Sequence, residues 1–181
     1  MAVVAPDLFN RTLTVNGVSK DDAMTGWRVG YRAAPAPLIK AMKLIRGQTS
    51  SHTSSISQYA AIEALVGGRQ HVEEFASAFL QRRDLVVTKP NQAEGLSCRV
   101  PDGAFYVFPS CVGVLGKRTP DGKLIETDTD FAMYLLDAFG VAVVPGSDFV
   151  ASPYVRICYA LSLEDLSRAC DRIIAACGAL S

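Results

Sequence analysis

The chain has 181 residues, with 18 Lys plus Arg against 18 Asp plus Glu, 49% apolar and 20% charged residues. This balance leaves no electrostatic footprint for a nucleic-acid or anionic-membrane partner, and the composition is that of an ordinary globular protein. The longest apolar runs, 138–144 and 173–180, are too short to span a bilayer, and "MAVVAPDLF" lacks the basic and long apolar regions of a signal peptide. Cys98, Cys111, Cys158, Cys170 and Cys177 are odd in number and show no C-x-x-C spacing. They read as five buried free thiols in a reducing cytoplasm, and no metal site is expected.

In chain order, "RTLTVNG" (11–17) reads as a strand ending in an Asn-Gly turn, and "TGWRVGYRA" (25–33) as a second strand. Trp27, Val29 and Tyr31 would share one of its faces, with Arg28, Gly30 and Arg32 on the other. A proline-opened helix follows over 34–47, closed by Gly47. The polar run "SSHTSSIS" leads into the helix "ISQYAAIEALVGG", stopped at Gly67 and Gly68. A long helix spans about 69–86, with Val72, Phe75, Phe79 and Arg83 on one face, His71 at its surface, and Arg83 snorkelling at the edge.

"GLSCRV" and "GAFYVFP" flank the turn "PDG" and read as a strand pair, followed by a turn-rich loop over 117–123. A helix over 128–138 leads into a strand over 141–145, then a strand over 154–160. The last helix starts at Ser162 with Asp165 as its capping partner, and its apolar stripe is Leu166, Cys170, Ile173, Ile174 and Cys177. Helices and strands alternate in this part, which makes it a small α/β layer structure with a mainly antiparallel sheet. Residues 1–47 supply only two strands and one helix, too little to bury a sheet, so this quarter reads as the end of something larger.

Lys20 follows a small-residue turn, and Arg28 lies eight residues on. A neutral lysine amine can form a Schiff base with an aldehyde, and a guanidinium is a two-pronged partner for phosphate; pyridoxal phosphate carries both groups. From spacing alone a solvated surface lysine and a water-facing strand arginine are the favoured readings. "VNGVSK…AMTGWRVGY", however, closely resembles the lysine motif of class I aminotransferases, the fold-type I enzymes that use pyridoxal phosphate, and most of all the bacterial aspartate aminotransferase subgroup. "SSISQYAAIEAL", "PDGAFYVFP", "VAVVPGSDF" and "VRICYALS" are similar to successive segments of that family, in order.

The resemblance implies that Lys20 is the Schiff-base lysine, Arg28 the phosphate-binding arginine and Arg156 the clamp on the substrate α-carboxylate, with Phe149 beside the substrate. It implies an α/β fold: residues 1–74 as the incomplete end of the large cofactor-binding domain, and 75–181 as the small C-terminal domain. It also implies amino-acid and 2-oxo-acid substrates, aspartate with 2-oxoglutarate foremost, in a cytoplasmic homodimer. Ser51 and His52 fall where the family has Ser-Asn facing the partner subunit.

Two features depart from the family. Asp22 replaces an aromatic residue two after the lysine, next to Asp21; two carboxylates there would hold Lys20 as ammonium and repel phosphate. Family members are also roughly twice as long, and the acid that pairs with the cofactor's ring nitrogen belongs to the part not represented here. Asp7, the only acid before Lys20, is too close to it to match. The competing expectations are a truncated, non-catalytic relic or interaction domain, and another fold-type I enzyme such as an aromatic transaminase or carbon–sulfur lyase.

Overall fold

The computed structural model describes residues 4–68 and 70–181. The chain divides into two compact units, Met1–Glu74 and Phe75–Ser181.

In the first unit Pro6 opens a 3-10 turn over Pro6–Arg11, so the first strand is shorter than the sequence suggests. Strand β1 (Thr14–Gly17) pairs antiparallel with β2 (Gly30–Ala33), in a register that sets Asn16 against Tyr31 and Gly17 against Gly30. Asn16 and Gly17 therefore close a ladder rather than making a tight turn, and residues 18–29 form a loop between the strands. The expected strand over 25–33 is only half present. Thr25–Trp27 is a 3-10 turn, and Arg28 is left-handed at φ 55°. Trp27 and Val29 hence do not share a strand face with Tyr31. The helices α1 (Ala36–Thr49) and α2 (Ser55–Val66) follow. Helix α1 runs through Gly47, because a glycine with open space around its Cβ position does not by itself end a helix. Among the described residues of this unit only Val18, Ser57 and Ala61 are buried. Ile56, Tyr59, Ile62 and Val66 form an apolar stripe along α2 that is more than half exposed.

Helix α3 (Gln70–Thr88) begins in the first unit and continues into the second, where Val86 is buried. The second unit has a real core. Its sheet is antiparallel throughout, in the order β3 (Tyr106–Val107), β5 (Val155–Cys158), β4 (Val144–Pro145). Along β5, Val155 and Ile157 are buried while Arg156 and Cys158 face the other way, as period-two alternation requires. Helix α4 (Asp128–Phe139) contributes Phe131 and Leu135 to the core, and α5 (Leu163–Gly178) contributes Leu166, Cys170, Ile173 and Cys177. Helix α4 opens with a full capping box in which the Thr127 side chain accepts from the Asp130 N–H and Asp130 accepts in return. At α5 the Ser162 hydroxyl accepts from the Asp165 N–H, as the sequence suggests. The expected pairing of "GLSCRV" with "GAFYVFP" reduces to an isolated bridge between Ser97 and Ser110.

Four cysteines are buried free thiols, but Cys158 is exposed because it lies on the open face of β5. Burial pushes Cys98, Cys170 and Cys177 up to about 11; Cys111 rises to about 12 through burial and the nearby Asp128 carboxylate. A thiol pushed up in the folded state stays protonated after its unfolded counterpart has ionised near pH ~8.5. Its contribution to stability is thus complete below that pH and is lost as the pH climbs through the folded values of about 11 to 12. Resistance of the second unit to urea is expected to fall steadily above pH ~8.5, with a shallower slope in Cys111→Ala. Iodoacetamide at pH ~8 should alkylate Cys158 alone in the native chain and all five cysteines only in urea.

Candidate functional site

The loop between β1 and β2 presents two cations. Lys20 is exposed on the turn after β1, and its carbonyl accepts from the Ala23 N–H at 3.3 Å. Val18, fully buried, anchors that turn from below, and its carbonyl accepts from Met24 N–H at 3.3 Å. Arg28 is exposed at the far end of the same loop and spends one N–H on the Thr25 carbonyl at 2.9 Å. The pair of glycines Gly17 and Gly30 closes the ladder at the loop's base. A Cβ on Gly17 would come 3.0 Å from the Val29 carbonyl oxygen, so the neck is tight for any residue with one.

Asp22 has a partner that the sequence does not reveal. Its side chain is only 10% exposed, and its carboxylate is bonded to His71 Nε2 at 3.1 Å. His71 is accordingly half-buried and partnered rather than a plain surface residue. The contact ties the Lys20 turn to the first turn of α3 across 49 residues of sequence. A separation of that size hides it from any local pattern. His52 is exposed and its Nδ1 contacts the Thr53 carbonyl at 2.8 Å, beside Ser51 at φ 55°.

The second unit holds another constellation on the open face of its sheet. The Arg156 guanidinium carbon lies 4.6 Å from the centre of the Tyr106 ring and 4.5 Å from that of Phe149. Phe108 meets Phe149 edge-on at 5.9 Å and stacks on Tyr154 at 5.8 Å. Tyr106, Phe108 and Tyr154 also line an adjoining cavity of about 600 Å³, together with Ser97, Arg99 and Ser110. Phe149 is delivered by the 3-10 turn Gly146–Phe149, which is pinned from two sides. Buried Asp128, at the start of α4, accepts from the Ser147 N–H at 2.9 Å. Gly146 donates to the Tyr154 carbonyl at 2.7 Å, and a Cβ there would collide with the Ala151 carbonyl oxygen. The sequence singles out Arg156 and Phe149 but not Tyr106 or Asp128, which the structure places beside them. Tyr106 was legible only as a member of an alternating strand, and Asp128 only as an acid at a helix start.

A sequence profile of the family described as "Aminotransferase class I and II" matches residues 3–173. The chain belongs to that family. It is 57% identical over 176 residues to the probable aspartate/prephenate aminotransferase of Rhizobium leguminosarum bv. phaseoli, covering 97% of this chain and 44% of that protein. It is 57% identical over 180 residues to the aspartate aminotransferase of Rhizobium meliloti strain 1021, covering 99% and 44%. The crystal structure of the aspartate aminotransferase from Rhizobium meliloti superposes with a TM-score of 0.96 at 57% identity, over 99% of this chain and 45% of that one. The chain thus spans less than half the length of the relatives it matches. Enzymes of this family are in general pyridoxal-phosphate-dependent, and the solved relatives have the fold-type I architecture.

The Asp22–His71 contact should restrain the Lys20 turn. A polar contact of this exposure contributes about 0.2–1 kcal/mol, so His71→Ala should speed exchange of the Ala23 and Met24 amides by up to about five-fold. Unchanged exchange at both amides would mean that the contact does not hold the turn.

Proposed function

We propose that this chain supplies Lys20, Arg28, Arg156 and Phe149 to an amino-acid aminotransferase site, with aspartate and 2-oxoglutarate as the favoured pair. The observation that carries this reading is Arg156. Its guanidinium is held against two rings, and it makes no hydrogen bond or ion pair to any described residue. A half-buried arginine with its N–H edge uncommitted is a receptor for a planar anion such as a carboxylate. The relatives' names support the aspartate assignment. One of them includes prephenate, a bulkier oxo acid that an aromatic-walled site could accept.

The donor set on the β1–β2 loop fits pyridoxal phosphate: a primary amine for its aldehyde and an exposed guanidinium for its phosphate. When bound, that cofactor supplies an electron sink for the carbanion left when a proton departs from the substrate Cα. Lys20 Nζ would anchor the cofactor, then take and return that proton as general base. Arg28 would fix the phosphate end. Arg156 would fix the α-carboxylate and so the direction of the Cα–H bond, and Phe149 would pack beside the substrate side chain. With its carboxylate directed to His71, Asp22 is less of an obstacle to an anionic cofactor than its place beside Lys20 in sequence implies.

The same reading makes the first unit the end of a larger cofactor-binding domain and the second the small domain. It also makes the assembly a cytoplasmic homodimer. The exposed apolar stripe of α2 and the sparse burial in the first unit support a surface made to be covered. No helix among the described residues is long and apolar enough to cross a membrane.

Borohydride reduction of the chain mixed with pyridoxal phosphate, followed by peptide mass mapping, tests the cofactor end of this reading. Lys20 is expected to be labelled first, and Arg28→Ala should reduce that preference several-fold. Labelling spread evenly over the chain's lysines would contradict the assignment.

A further inference from the structure

Tyr106 has no role in the reading above, yet it contacts the residue on which that reading depends. Tyr106 pairs with Cys158 in the β3–β5 register, two residues along from Arg156. Residues two apart on a strand share a face, and a diagonal neighbour of this kind is within reach of long and aromatic side chains. The ring and the guanidinium do meet, at 4.6 Å. Phe149, brought by a different segment of chain, meets the same guanidinium at 4.5 Å.

What the rings engage matters. A guanidinium lies over an aromatic ring by its π face, which leaves the N–H edge available. A carboxylate side chain in Tyr106's place would instead have consumed that edge. An arginine on a long, flexible stem also loses much rotamer freedom when a ligand fixes it. Rings that restrict the side chain beforehand reduce that loss on binding.

We propose that Tyr106 is a positioning residue for Arg156: with Phe149, it restricts the guanidinium so that its N–H edge is preset for a substrate carboxylate. This rests on the reading of Arg156 as the carboxylate receptor. The tyrosine acts through its ring, so phenylalanine should substitute for it and an aliphatic residue should not.

The test uses the unaltered ¹⁵N-labelled chain, with the Arg156 Nε–Hε signal assigned by its loss in Arg156→Lys. Ring currents should shift that signal in the unaltered chain and in Tyr106→Phe, and the shift should shrink in Tyr106→Leu. Titration with succinate, a plain dicarboxylate, should move the same signal. Affinity should be alike in the unaltered chain and Tyr106→Phe, and roughly two- to five-fold weaker in Tyr106→Leu. The amides of Val107 and Ile157 report whether the sheet is intact. If leucine disturbs them, Tyr106→Val, which suits a strand and lacks a ring, replaces it.

Succinate binding that is indifferent to loss of the ring overturns the positioning role and leaves the carboxylate reading standing. Failure of succinate to move the Arg156 signal in the unaltered chain overturns the carboxylate reading and the positioning role together. An Arg156 signal unmoved between the unaltered chain and Tyr106→Leu overturns the contact itself.

Discussion

The alternation of four residues on β5 organises the second unit. Val155 and Ile157 enter the core against α4 and α5, and this obliges Arg156 to face outward from the same rigid strand. A cation placed that way is fixed by the stability of the whole unit rather than by its own contacts. The rings of Tyr106 and Phe149 then need only settle the side chain. Phe149 reaches it because Asp128, buried at the start of α4, holds the turn at Ser147. The core, the sheet and the helix cap thus converge on one guanidinium.

The first unit follows a different logic. It fixes Lys20 and Arg28 by local devices: a glycine-paired neck, a buried Val18 beneath the turn, and the Asp22–His71 contact. Few of its side chains are buried, and the apolar stripe of α2 is exposed. Hydrophobic burial is the main stabilising term in folding, and this unit has little of it. The chain spans less than half of its relatives' length.

Much of this was legible in the sequence. Helices α3, α4 and α5 and the strand at Val155–Cys158 follow from periodicity and caps, because in each case the local pattern agrees with the burial. The lysine motif pointed to Lys20 and Arg28, and the structure places both on one loop. What sequence reading lost has physical causes. Arg28 sits in a run that reads as a strand by composition, but it is left-handed at φ 55°, a choice made by the turn around it. Asp22 and His71, and Tyr106 and Arg156, are each about 50 residues apart in sequence, and only the folded chain brings them together. Cys158 was expected in the core with the other cysteines, and the strand's alternation places it outside.

The central claim is that these residues serve a transamination site that also needs groups lying elsewhere in the relatives' length. The direct measurement is oxaloacetate formation from aspartate and 2-oxoglutarate with added pyridoxal phosphate. The chain would be assayed alone and together with a separately expressed N-terminal portion of the Rhizobium meliloti enzyme. The account predicts no turnover above free cofactor for the chain alone, and turnover on mixing that is lost in Lys20→Ala. Turnover by the chain alone that disappears in Lys20→Ala would contradict it.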